Sequence, residues 1–276
     1  MLLWGLNLSI EFTGGTNFTF SFKQVVTKTE LNFIDNTFSQ NKIQVLSVEP
    51  SGNTVLLKTK PVDQKTDVSV TTALKNKYKD FQQESYDTVG PTIGSETTAN
   101  AVKALVVASL LIVLYITWTF RKVPKPASSF RFGICAIIAL IHDVLVLLGI
   151  FSILGHFLGV EIDSLFLTAA LTVIGFSVHD TIVVFDRIRE NLKRVGGEEF
   201  ATVVNDSILQ TLDRSLNTSL TVLLVLMALL IFGGESIRWF VVALLIGIVS
   251  GTYSSIFNAS PLLVVWQDLI NKRVKK

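Results

Sequence analysis

The spacing of apolar residues divides the chain in two. Up to about residue 97 they alternate with polar residues or recur singly; beyond it they come in long runs. In the first part, "NFTFSF" puts Phe18, Phe20 and Phe22 on one face, the period of a half-buried strand. "TKTELNFIDNTF" reads as a capping box from Thr27 to Glu30, followed by Leu31, Ile34 and Phe38 at helical spacing. "KIQVLSV" and "TVLLKTK" flank "EPSGN", a hairpin turn. "DVSVTTALKNKYKDF" reads as a second helix, "QESYDTVG" as a last strand and "GLNLSIEF" as an opening strand. The predicted order, β-βαββαβ, suits a ferredoxin-like α+β domain over residues 5–97.

The second part holds five apolar runs, at about 101–120, 130–158, 162–185, 215–232 and 238–266. Each is long enough for the roughly 20 helical residues that cross a bilayer core. The predicted fold class is therefore a membrane α-helical bundle over residues 98–276, carrying the α+β domain outside the membrane. Composition agrees: 49% of residues are hydrophobic, and a mean hydropathy of +0.52 is too high for an ordinary soluble domain.

Net charge is only +2, so its placement carries the information. Arg121, Lys122, Lys125 and Arg131 separate the first two runs. Arg187, Arg189, Lys193, Arg194 and Arg214 separate the third and fourth. Lys272, Arg273, Lys275 and Lys276 end the chain. Basic loops stay on the cytoplasmic side, which puts residues 5–97 outside the cytoplasm and the C-terminus inside. No signal peptide or span before Gly5 would deliver that domain. "MLLW", residues 1–4, reads as the last turn of a preceding helix, and the chain as truncated there. Cys135 is the single cysteine, so no disulfide forms within the chain.

Two ionisable pairs interrupt the apolar runs: His142-Asp143 in the second and His179-Asp180 in the third. A charged Asp at mid-bilayer costs about 2.5–3.5 kcal/mol on insertion scales, and such residues face a bundle interior, a cavity or a partner. Asp180 is too short to snorkel to Asp186, about 9 Å further along a helix. Arg214, at the mouth of the fourth run, is its natural partner. Buried and unpaired, Asp180 takes a proton; paired with Arg214 it releases one. His142-Asp143 has two readings, an intramembrane relay or a structural pair holding two helices in register. Gly247, Gly251, Ser255 and Ala259 recur every fourth position in the last run, a packing stripe whose partner helix the sequence does not name. Gly14-Gly15 reads as a tight structural turn. Gly90, Pro91 and Gly94 read as a rigid turn or a hinge. Nothing calls for a cofactor, a metal or a nucleic-acid partner, and the α+β domain holds no catalytic constellation.

Six segments resemble, in the same order, segments of the SecF family of protein-export subunits: "GLNLSIEFTGGT", "VGPTIGSE", "IHDVLVLLGIFSILG", "GFSVHDTIVVFDRIRENLKR", "TLDRSLNTSL" and "LLIGIVSGTYSSIFNASPLL". The likeness covers nearly the whole chain and extends to the resistance-nodulation-division superfamily. It implies six spans in the bacterial inner membrane, with a ferredoxin-like periplasmic domain after the first. It implies SecD and the SecYEG channel as partners, unfolded precursor proteins as substrate, and proton flow as the driving force. Asp180 and Arg214 match the family's proton-pathway residues. The first span is missing here, and many relatives have Asn at His179 and Asp at Glu11. His179 either joins the relay, titrating near neutral pH, or is a neutral hydrogen-bonding substitute.

Three other readings compete with a proton-driven export motor. A scaffold would position export subunits without driving them. A small-molecule exporter of the same superfamily would need two such halves. An intramembrane aspartyl protease would use Asp143 and Asp180 as a dyad, but neither G-x-G-D nor H-E-x-x-H is present. No enzyme activity is expected.

Overall fold

The computed structural model describes residues 4–194 and 198–274. The helix remnant expected at residues 1–4 lies outside the described residues except for Trp4, as do Lys275 and Lys276. The chain forms two compact units. One is Leu8–Val102; the other is Lys103 onward together with the residues before Leu8.

The first unit opens with a one-turn helix, α1 (Ile10–Thr13), followed by β1 (Gly15–Ser21), α2 (Lys28–Gln40), β2 (Val45–Ser51), β3 (Thr54–Thr59), α3 (Gln64–Lys77) and β4 (Gln82–Val89). The strands form one sheet in the order β2-β3-β1-β4, every pair antiparallel. Phe18 and Phe20 are fully buried, as their alternation requires, against Ile34 and Phe38 of α2 and Val70 and Leu74 of α3. The capping box forms: Thr27 N donates to Glu30 Oε2 at 2.8 Å and Thr29 N to Thr27 Oγ1 at 3.3 Å. These Thr27 bonds hold the Glu30 carboxyl below its usual range.

Two expectations fail in this unit. "GLNLSIEF" is not a strand. Ser9 Oγ accepts from Glu11 N at 3.3 Å, and the amides of Thr13 and Gly14 return to Ser9 and Ile10, closing a helical turn. Ile10 and Phe12 are both buried in that turn, so its apolar residues keep the spacing of a strand. The "EPSGN" hairpin is also tighter than predicted. β2 runs through Pro50 to Ser51 on the sheet edge, where proline's missing N–H costs no ladder bond, and Gly52-Asn53 make the turn.

The paired glycines do more than turn the chain. Gly14 sits at φ +73°, and a Cβ there would lie 2.9 Å from Pro91 Cα. A Cβ on Gly94 would lie 2.7 Å from Gly14 N. The glycines thus let the chain entering β1 touch the first turn of the next helix, α4 (Pro91–Thr119), which Pro91 opens. The boundary between the two units falls inside α4.

The second unit continues with α5 (Ser129–Leu158), α6 (Ser164–Arg194), α7 (Phe200–Phe232), α8 (Arg238–Ser254) and α9 (Ser260–Val274). A wide π-type turn, Ser255–Ala259, joins the last two. Pro261 has no N–H for the preceding turn and its ring crowds the carbonyl there, which accounts for the widening. Among the described residues, five helical stretches are long and apolar enough to cross a membrane, the last being Glu235–Arg273. α6 outruns its apolar segment because its charges pair along the helix: Arg187–Glu190 at 2.7 Å and Arg194–Glu190 at 2.6 Å. Leu110, Leu114, Leu220, Leu224 and Phe232 face outward. Inside, close contact replaces the hydrophobic effect as the force between helices. A Cβ on Gly247 would lie 2.1 Å from Val173 Cγ2, and one on Gly251 would lie 2.9 Å from Ser177 Cβ. These two glycines of the stripe therefore face α6 of the same chain. Before the first unit begins, Trp4 stacks on His156 at 5.0 Å and Asn7 O accepts from Ile162 N at 2.7 Å.

Candidate functional site

The close approach of α8 to α6 carries the segment Ser250-Gly251-Thr252-Tyr253-Ser254 between two buried carboxyl groups. On one side is Asp143 of α5, only 1% exposed. Its Oδ2 accepts from Ser177 Oγ of α6 and Ser254 Oγ of α8, both at 2.6 Å. Its Oδ1 accepts from Ser250 Oγ at 2.8 Å, and His142 Nδ1 lies 3.2 Å away. Burying a carboxylate costs several kcal/mol unless its oxygens are satisfied. Hydrogen bonds to a charged group contribute about 1.5–3 kcal/mol each, so this set of donors offsets the cost. Asp143 ties three helices together. His142 is partly exposed and lines an apolar groove with Tyr253 and Leu223.

On the other side is Asp180 of α6, 2% exposed. The hydroxyls of Thr252 on α8 and Ser219 on α7 face its carboxyl. Those two hydroxyls also bond to each other at 2.6 Å. Asp180 Oδ2 has no hydrogen-bond partner among the described residues. A buried oxygen left in that state is costly and calls for a role.

Of the residues singled out from the sequence, the structure brings Asp143 together with His142, but does not join Asp180 to Arg214. Ser219, not Arg214, stands level with Asp180, and Arg214 lies on the exposed side of α7. His179 is exposed too, because neighbours on a helix point about 100° apart. Ser177, Ser250, Ser254, Ser219 and Thr252 went unnoticed in the sequence. The signal was there as Ser250 and Ser254, one turn apart on one helix face. Among the described residues, no three His, Cys, Asp or Glu side chains group so as to hold a metal.

Comparison with known proteins bears on this arrangement. Residues 69–269 match the family described as protein export membrane protein SecD/SecF, C-terminal, and residues 5–24 match the SecD/SecF GG motif. The chain belongs to the SecD/SecF family. A protein translocase subunit SecF of Thermobaculum terrenum is 49% identical over 278 residues, covering 97% of this chain and 87% of that protein. The corresponding subunit of Anaerolinea thermophila is 43% identical over 272 residues, covering 97% and 87%. The crystal structure of SecDF from Thermus thermophilus superposes with a TM-score of 0.78 at 36% identity, over 95% of this chain and 34% of that longer one. SecD/SecF membership makes the chain a membrane protein and a protein translocase subunit, in keeping with its long apolar helices. The GG motif coincides with Gly14-Gly15 and the contacts that pack them.

Proposed function

We propose that this chain works with SecD as a proton-driven motor for late steps of precursor export through the SecYEG channel. The observation that carries this reading is Asp180: a carboxyl buried in a membrane-spanning helix, with one oxygen unpartnered and two hydroxyls beside it. One proton crossing a 100 mV potential is worth about 2.3 kcal/mol. Several protons suffice to bias the movement of a chain segment. Arg214 takes part when a helix shift brings it to Asp180; in the arrangement described it stands away. His179 is a lesser participant. His142-Asp143 acts as a relay or as the fixed point against which α8 moves, and the donors around Asp143 favour the fixed point.

SecD as a partner is supported by the longer SecDF chain that this one matches over a third of its length. The sheet order β2-β3-β1-β4 with both long helices packed on its core supports a ferredoxin-like unit. We place that unit outside the cytoplasm and the C-terminus inside on the distribution of Lys and Arg; the bacterial inner membrane and a six-span plan rest on the likeness to SecF. It would grip and release unfolded precursor proteins.

The test is precursor export into vesicles from cells lacking their own SecF, carrying SecD with this chain or its Asp180→Asn variant. Export is compared with and without a proton gradient. Stimulation by the gradient is expected with Asp180 and lost with Asn. Equal stimulation of both would make Asp180 structural and the chain a scaffold.

A further inference from the structure

The segment that joins α4 to α5 is basic and carries no acid. From Trp118 to Arg131 it holds Arg121, Lys122, Lys125 and Arg131. Orientation in a membrane needs only a scatter of such charges. The end of α4 is built more closely than that. Arg121 lies over the ring of Trp118 at 4.8 Å, and Arg189 of α6 lies over the ring of Phe120 at 5.8 Å. Phe120 is fully buried against Phe132 and Phe185, while Trp118 is exposed. Two guanidinium groups thus meet the chain where α4 stops. Arg189 Nη2 pairs with Asp186 at 2.5 Å, but its Nε is buried with no partner, and so is Thr119 Oγ1. Arg131 is engaged by Pro126 O and Gln267. The ion pairs Arg187–Glu190 and Arg194–Glu190 stay on α6. Arg121, Lys122 and Lys125 are left exposed, with no acid paired to them among the described residues.

Further along the two helices α4 and α5 part. They touch at Gly133, where a Cβ would lie 2.7 Å from Thr117 Oγ1. Beyond that contact a groove of about 440 Å³ runs between them, lined by Leu105, Ser109 and Val113 of α4 and by Ile137, Ile141 and Leu145 of α5. Ser109 spends its proton on Leu105 O at 2.8 Å, so the groove offers hydrocarbon alone. Val113, Thr117 and Arg121 follow at four-residue steps, which puts the groove and the guanidinium on one side of α4. Val113 is about 9 Å from Thr119 along the axis at 1.5 Å per residue. That is within the roughly 15 Å depth of one leaflet, half of a 30 Å hydrocarbon core.

We propose that this end of α4 binds an anionic phospholipid, its phosphate held by Arg121, Lys122 and Arg189 and one acyl chain laid in the groove between α4 and α5. Guanidinium forks match the oxygens of a phosphate. Arg189 is partly exposed, and its spare Nε gains an acceptor when the side chain turns toward that phosphate. A tryptophan with an arginine stacked on it is at home at headgroup level. Basic pockets beside membrane helices take up anionic headgroups on the cytoplasmic side, where Lys and Arg place this segment. The groove separates a lipid from a free phosphate, which would leave it unused. The site is independent of the proton reading of Asp180.

The test titrates the full chain, purified with SecD in detergent, with phosphatidylglycerol and reads bound lipid by native mass spectrometry. Detergent makes the result independent of orientation. Phosphatidylcholine with the same acyl chains and glycerol phosphate, the headgroup without chains, are the comparison ligands. Arg121→Gln with Lys122→Gln should weaken phosphatidylglycerol about twentyfold, near fivefold for each charge lost. Lys272→Gln with Arg273→Gln removes the same charge from the end of the chain and should change it by less than about twofold. Arg189→Lys keeps the charge but lacks Nε and should cost about threefold. Leu110→Trp fills the groove from its exposed edge and should weaken phosphatidylglycerol while leaving glycerol phosphate as it was. A thermal melt of each variant controls for folding. Equal losses from the two double variants, or phosphatidylcholine bound as tightly as phosphatidylglycerol, would overturn the site in favour of diffuse attraction. Glycerol phosphate bound as tightly as the whole lipid, with Leu110→Trp inert, would leave a phosphate site and remove the lipid.

Discussion

Asp143 and Asp180 lie on adjacent helices, are buried to the same degree and flank the same five residues of α8. They differ in their partners. Every oxygen of Asp143 is taken, by serines from two other helices and by its own neighbour His142. Among the described residues Asp180 Oδ2 has no partner, and the two hydroxyls that face its carboxyl also bond to each other. A carboxyl surrounded by donors is held in place, and moving it means breaking several bonds at once. A carboxyl with a free oxygen accommodates a change of partner without dismantling its surroundings. Burial does not distinguish the two acids of this membrane unit; their hydrogen-bond partners do.

That contrast breaks most readily at Asp143. Asp143→Ala removes the acceptor for three serine hydroxyls and should cost about 3 kcal/mol or more, seen as a large fall in melting temperature of the detergent-purified chain. Asp180→Asn should melt within about 1 kcal/mol of the unsubstituted chain. Equal melts for the two variants would erase the distinction. Gly251→Ala comes next. Its methyl would press on Ser177, which donates to Asp143, and overpacking of this kind costs about 1–3 kcal/mol. The same melt should fall, without selective loss of gradient response. A finer cut compares two hydroxyls of α8. Ser254→Ala deletes a bond to a charged group and should cost about 1–2 kcal/mol. Thr252→Val keeps shape beside Asp180; it should shift the melt by less than about 1 kcal/mol while altering export under a gradient.

The smallest effect lies outside the bundle and serves as its control. Thr27→Ala should cost about 1 kcal/mol or less at the start of α2, read as faster amide exchange at Lys28–Leu31. Thr27 depresses the folded-state pKa of Glu30. The stabilisation is therefore present above the unfolded-state pKa and fades as pH falls through the folded value. In the unsubstituted chain, acid should loosen the same amides; in Thr27→Ala that acid dependence should disappear. Neither aspartate should respond to this change.

Much of this architecture was legible in the sequence. Lipid demands about 20 apolar residues per crossing, and that demand marks all five long helices. It does not mark where they stop, since α6 and α7 continue on paired charges and polar turns that the apolar pattern does not register. The succession of elements from β1 to β4 was readable from the alternation at Phe18 and Phe20, the capping box and the turn after β2. The opening strand misled because Leu8, Ile10 and Phe12 have a strand's spacing, whereas Ser9 and Gly14 bound a single helical turn. Asp180 was conspicuous as a charge in an apolar run. Its neighbours were not, because they depend on how far each helix is rotated about its axis. A rotation that puts Ser219 at Asp180 turns Arg214 outward, and no spacing along one chain encodes that angle.

The wide turn before Pro261 has a geometric consequence for the row Gly247, Gly251, Ser255 and Ala259. Steps of four residues on an α-helix overshoot a full revolution by about 40° each, so three steps would carry Ala259 about 120° around the axis from Gly247. Extra residues in the turn Ser255–Ala259 take back part of that overshoot. All four positions are in fact buried. The irregularity keeps the row in line: a helix that was perfectly regular would wind its smallest residues off toward the lipid.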